Sequence, residues 1–96
     1  MELDLSDNSL GDAGTAWLVA VLALPGVARS LRELHLNQNF ITPEGAAVLG
    51  AALEALRGLR TLRASANPIG PRGCEAIVAG LAEGGALANL TLNDCG

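Results

Sequence analysis

One phrase recurs through the chain at a fixed interval. LRELHLNQN begins at Leu31, LRTLRASAN at Leu59 and LANLTLNDC at Leu87, in steps of 28 residues. ELDLSDN at Glu2 aligns with ELHLNQN at Glu33, a step of 31; the three extra residues fall near Pro25-Gly26-Val27, where a loop is expected to absorb them. The match continues past the asparagine. SLGDAGTAWLVAVL, FITPEGAAVLGAAL and PIGPRGCEAIVAGL align without gaps, so that Leu10, Ile41 and Ile69 share a column and Gly14, Gly45 and Gly73 share another. Leu18, Leu49 and Ile77, then Leu22, Leu53 and Leu81, complete the pattern. Self-similarity of this period marks an array in which each unit buries its apolar face only against its neighbours.

Each unit changes period partway through. Leu34 and Leu36 alternate with Glu33, His35 and Asn37, which is strand spacing, whereas Gly45, Leu49 and Leu53 recur every four residues, which is helical. Thr42-Pro43-Glu44 has the composition of a helix start, with Thr as N-cap, Pro in the first turn and an acid near the positive end. Gly70-Pro71 opens the third helix similarly. The spacing predicts strands over 2–6, 33–37, 61–65 and 89–93 and helices over 12–24, 43–56 and 71–83. Leu34, Leu36, Leu49, Leu53, Leu62, Ile69, Ile77 and Leu81 are the expected core. Stacked strands lie about 4.8 Å apart and packed helices about 8–10 Å. The mismatch bends the stack, with strands on the concave side. The glycine column is expected to allow close helix–strand approach. Asn8, Asn39 and Asn67, with Cys95 in the fourth position, stand where each strand turns outward, and an amide that both donates and accepts can satisfy the loop backbone there.

At these residues the chain resembles the leucine-rich repeat proteins. The 28-residue period and the pattern LxxLxLxxN…(I/L)(G/T)xxGxxxLxxxL resemble their ribonuclease-inhibitor-like class. The resemblance covers nearly the whole chain. It implies an α/β fold, a right-handed βα solenoid of about three and a half repeats (approximately 1–30, 31–58, 59–86 and a partial 87–96), and protein binding as its role. Cys in place of the turn Asn, as at Cys95, and after the helix-entry Gly, as at Cys74, also fits that class. A weaker resemblance, in LDLSDNSLG, LTLNDCG and Ala64, is to the Ran GTPase-activating proteins; Ser65-Ala66-Asn67 stands where that family has Gly-Arg-Asn. Met1 falls inside a strand segment and LTLNDCG is a strand and turn without its helix. Neither end reads as a polar cap, so the expectation is part of a longer array or an incomplete gene product.

Composition narrows the function classes. The formal charge is −4 and all six basic residues are Arg, which argues against a nucleic-acid surface. The apolar run Ala16–Leu24 is interrupted by Pro25-Gly26 and preceded by the acidic MELDLSDN, so it is read as a buried helix, with no membrane association. Two cysteines make no disulfide framework and point to a reduced, cytoplasmic setting.

If Leu34 and Leu36 face inward, their alternating neighbours face outward on the concave side. One outward column is Glu2, Glu33, Thr61, Asn89; the next is Asp4, His35, Arg63, Thr91; a third is Ser6, Asn37, Ser65, Asn93. Glu2, Asp4, Glu33, His35, Asn37, Arg63, Thr91 and Asn93 are the candidate partner-binding residues. His35 has no nucleophile beside it in its column and no second His for a metal, so no catalytic, cofactor or metal residue is assigned. Arg29, Arg32, Arg57 and Arg60 mark one rim, and Asp7, Asp12, Glu44, Glu75 and Asp94 the other, with Arg72 the exception. The expected function is a non-enzymatic protein–protein interaction module; a GTPase activator acting on a small GTPase and a repeat array of a nucleotide-binding immune-type receptor are the alternatives. With open strand edges and an apolar first helix carrying Trp17 and Val21, the isolated chain is expected to self-associate.

Overall fold

The computed structural model describes residues 1–82 and 87–96. Eight elements follow one another: β1 (Glu2–Asp4), α1 (Gly11–Leu22), α2 (Pro25–Ser30), β2 (Glu33–His35), α3 (Pro43–Leu53), β3 (Thr61–Arg63), α4 (Gly70–Ala82) and β4 (Asn89–Thr91). The strands form one sheet in the order β1-β2-β3-β4, and every pair is parallel. Glu2, Glu33, Thr61 and Asn89 lie in register, as do Asp4, His35, Arg63 and Thr91. The repeat alignment therefore reads directly as strand register. The outermost expected end of α4, residue 83, and the expected repeat boundary at 86 lie outside the described residues.

The strands are shorter than the expected five residues, but their pairing is not. Beyond β1, Leu5 N–H donates to His35 O at 2.8 Å and Asp7 N–H to Asn37 O at 2.9 Å; Leu36 to Arg63 and Gln38 to Ser65 repeat the pattern at 2.7 and 3.0 Å. Each strand path then turns through a left-handed residue in one column, Asp7, Gln38, Ala66 and Asp94, with φ between 56° and 61°. The hydrogen-bonded stack continues while the backbone leaves extended geometry.

An amide ladder closes this turn. Asn39 Oδ1 accepts from the N–H groups of Asn8 and Leu10 at 2.9 and 3.3 Å, and its Nδ2 donates to Leu5 O at 2.8 Å. Asn67 repeats this one unit on, accepting from Asn39 and Ile41 at 2.7 and 3.1 Å and donating to Leu36 O at 2.9 Å. Cys95 keeps the donor half, with Sγ 3.4 Å from Ala64 O. Desolvation pushes the Cys95 thiol up, which keeps the proton that this bond needs. Ile69, with no amide oxygen from the next unit, turns its N–H to Asn67 O at 2.7 Å.

Leu34, Leu36, Leu49, Leu53, Leu62, Ile69 and Ile77 are buried as expected, joined by Leu18, Leu22, Leu31, Ile41, Leu56 and Leu59. Leu81 departs from the expectation: it is only partly buried, packed against the core from near the end of α4. Thr61, expected outward, is buried as a short side chain on an interior strand.

Three local expectations need correction. The extra residues after Leu24 form the helix α2 rather than a loop. Pro25 sits at its start, where the missing N–H costs nothing, and Val27 and Ala28 pack against the core. Thr42 does occupy the N-cap of α3, but its side chain makes no cap bond. The cap comes instead from Asp12 of α1, whose Oδ1 accepts the Thr42 N–H at 2.9 Å while Oδ2 receives the Thr42 hydroxyl, a bond for which Glu44 also competes. The glycine column gives close approach to helix-entry isoleucines and the preceding helix, not to a strand. A Cβ on Gly73 would strike the Ile69 side chain and Ala46 Cβ, and one on Gly45 would strike Asp12.

Further along, a Cβ on Gly80 would collide with the Gly50 carbonyl, so α3 and α4 meet backbone to backbone. Alanine ordinarily favours a helix over glycine by about 1 kcal/mol. Here overpacking of about 1–3 kcal/mol should outweigh it: Gly80→Ala should lower stability in denaturant titration, whereas Gly26→Ala, with open space around it, should be neutral or stabilising. Burial tends to raise the Asp12 pKa, but the Thr42 hydroxyl and the Thr42 and Gly45 N–H groups outweigh it and hold the carboxyl below its ordinary 3.8. A lowered folded pKa gives stability that is present above 3.8 and lost as pH falls through the folded value. Asp12→Asn should therefore lower the thermal midpoint at pH 7, and the gap to the parent chain should close under acid.

Candidate functional site

The outward face of the sheet is built by alternation. Leu34 and Leu62 point into the core and are fully buried, which forces Glu33 and His35 on β2 and Arg63 on β3 to the other side. The parallel register then sets side chains from distant positions side by side.

His35 is the centre of this face. Its Nδ1 lies 3.7 Å from Asp4 Oδ2 and 4.0 Å from Glu2 Oε2, and its Nε2 lies 3.5 Å from Glu33 Oε1. The imidazole is 16% exposed, whereas Glu2 and Asp4 are 58% and 57% exposed. Nε2 is buried with no hydrogen-bond partner. Asp4 is fixed from its own strand end, accepting the Ser6 N–H at 3.0 Å. That bond, with the Ser6 hydroxyl and His35, holds its carboxyl below the usual range. Arg63 is exposed on the adjacent strand, opposite His35 in register. The face therefore changes sign from β1 and β2, carrying Glu2, Asp4 and Glu33, to β3, carrying Arg63.

The third column behaves differently from the other two. Ser6 Oγ accepts the Asn37 N–H at 3.1 Å, Asn37 Oδ1 accepts the Ser65 N–H at 2.7 Å, and Ser65 Oγ accepts the Asn93 N–H at 2.9 Å. This is a second polar ladder between strands. Asn37 is thus committed at its amide oxygen to the fold. Thr91 is half-buried and Asn93 exposed at the β4 edge, away from the His35 cluster.

The rims divide similarly. Arg32 Nη1 donates to Arg29 O at 2.8 Å and lies 3.3 Å from Gly58 O, tying two units at strand entry. Asp12 and Glu44 at the opposite rim serve the start of α3. Phe40 was not singled out by sequence reasoning. It is 66% exposed with φ 59°, an uncommon conformation for a bulky residue. Its signal in the sequence is an aromatic next to the ladder asparagine, where the neighbouring units carry Ser9 and Pro68. Sequence reasoning also found no metal-ligand set, because it sought a second His. Glu2, Glu33 and His35 instead bring one ligand atom each within 4.8 Å of one another. Among the described residues no helix is long and apolar enough to cross a membrane.

Comparison with known proteins agrees with this architecture. A family model described as leucine-rich repeat matches residues 1–15 and 27–50. The ribonuclease inhibitor of Sus scrofa is 38% identical over 96 residues, which is 99% of this chain and 21% of that protein. The ribonuclease inhibitor of Mus musculus is 38% identical over 95 residues, 98% of this chain and 20% of that protein. The chain thus spans about a fifth of the length of these relatives. With a parallel ladder of strand–helix units, an asparagine at three of its four turns and this similarity along its whole length, the chain belongs to the leucine-rich repeat family, in its ribonuclease-inhibitor-like form.

Proposed function

We propose that the chain is a non-enzymatic protein-binding module whose partner lies on the concave strand face. The supporting observation is the outward surface itself. The inward side repeats leucine at every strand, whereas the outward side changes from unit to unit: Glu2 and Asp4, then Glu33 and His35, then Arg63, then Thr91. A merely solvated face needs no such cluster around a mostly buried imidazole. The sign change across β2 and β3 would fix a partner's register and discourage wrong ones by like-charge contacts. Two free cysteines are compatible with a reducing, cytoplasmic setting.

The relatives' names make a ribonuclease the first partner to try. Calorimetric titration of the chain with a ribonuclease should show binding that weakens at least tenfold in Glu33→Gln/His35→Ala/Arg63→Ala, with the far-UV dichroism unchanged. Glu75→Gln on the helix side should leave it intact. Equal loss from the helix-side variant, or none from the strand-face variant, would move the interface elsewhere. The alternative reading, a small-GTPase activator, would be favoured by stimulated GTP hydrolysis.

Self-association of the isolated chain belongs to the same proposal. Trp17 is 71% exposed on α1, Leu24 is 56% exposed beyond it, and β1 and β4 are the sheet edges. Open edges beside apolar side chains favour pairing with another chain. Sedimentation at micromolar concentration should show species above the monomer mass, reduced by Trp17→Lys; a sharp monomer in both would reject it.

A further inference from the structure

We infer that Glu2, Glu33 and His35 form a binding site for a divalent transition-metal ion, with zinc as the ion of best fit. Three features of the strand face converge on it. The first is position: the ligand atoms of these residues lie within 4.8 Å of one another. Zinc bonds of about 2.0–2.2 Å in tetrahedral geometry place ligands about 3.4 Å apart. The remaining closure falls to Glu2 and Glu33, whose side chains are 58% and 41% exposed and free to change rotamer, while the imidazole stays in place at 16%.

The second feature is the orphaned nitrogen. His35 Nε2 is buried without a hydrogen-bond partner, and buried polar groups are ordinarily satisfied. Its nearest carboxylate oxygen, Glu33 Oε1 at 3.5 Å, is itself one of the three ligands. With Nε2 on the ion beside Glu33, the Nδ1–H faces Asp4, 3.7 Å away, and Glu2, whose Oε2 lies 4.0 Å from Nδ1, has to turn toward Nε2 to complete the set. Asp4 is held by the Ser6 N–H, so it stands as the carboxylate that orients a metal-bound imidazole.

The third is charge. Glu2, Asp4 and Glu33 surround one imidazole, and a divalent cation would offset them, with Arg63 across the register. One nitrogen and two carboxylate donors suit zinc better than magnesium or calcium, which prefer oxygen alone. Three protein ligands leave a further position for water.

His35 is the only histidine of the chain, so its ring resonances report on this site alone. The test is titration of the 96-residue chain with zinc chloride, followed by proton NMR of the ring, with magnesium chloride as comparison. The ring signals should shift and saturate at one equivalent of zinc, with no shift from magnesium. Glu2→Gln/Glu33→Gln should weaken the zinc response at least tenfold without altering the fold by far-UV dichroism. An unshifted ring in excess zinc overturns the site, whether or not zinc binds Cys74 or Cys95. So does an equal response in the double variant. No protein partner is present in the experiment, so its outcome is separate from that of the binding proposal.

Discussion

The turn asparagines hold the units in step. Asn39 and Asn67 are buried, and each uses both halves of its amide to reach back to the preceding unit. A buried polar group left without a partner costs about 1–3 kcal/mol. Each amide satisfies several backbone groups that the turn would otherwise orphan, because the chain leaves the sheet before the next helix begins. Leu could do neither, and a Ser hydroxyl, though it both donates and accepts, has one oxygen for bonds that the amide divides between two atoms. Cys95 shows the consequence of replacing the amide: it still donates to Ala64 O, but Ile69 satisfies its N–H within its own unit.

Most of this architecture was legible because a repeat aligns with itself. Once Asn8, Asn39 and Asn67 were placed in a column, strand register followed without any three-dimensional information, and the columns of Leu34 with Leu62 and of His35 with Arg63 appear unchanged in the sheet. The less legible features depend on contacts between units rather than on patterns within them. Nothing in Thr42-Pro43-Glu44 shows that the cap will come from Asp12, 30 residues earlier. Gly80 looks like a weak helix residue until Gly50 is laid against it. Pro25 reads as a breaker in a one-dimensional pattern, yet it is a favourable first residue for a new helix.

The face opposite the core was legible as a surface but not as chemistry. Periodicity identified which residues turn outward. It could not show that Asp4, Glu2 and Glu33 close around one imidazole, because those distances depend on side-chain rotamers. Nor could it separate residues free for recognition from those engaged by the fold. Asn37 and Asn93 looked equivalent to His35 and Thr91, but their column is a hydrogen-bonded ladder in which Asn37 Oδ1 is already taken.

That division has a physical basis. Positions within the strands have backbone groups paired with a neighbouring strand, so the backbone makes less demand on their outward side chains. Positions at the strand exit lie where the backbone begins to turn, and short polar side chains there are recruited to complete the ladder. Ser6, Asn37 and Ser65 illustrate the second case. Glu33, His35 and Arg63 illustrate the first, whereas Asp4, on the edge strand, accepts the Ser6 N–H. A repeat protein of this form can therefore vary two columns of its strand face at little cost to the fold, while the third must remain able to accept a backbone N–H. Variation in recognition is confined to the part of the strand where the sheet already satisfies the backbone.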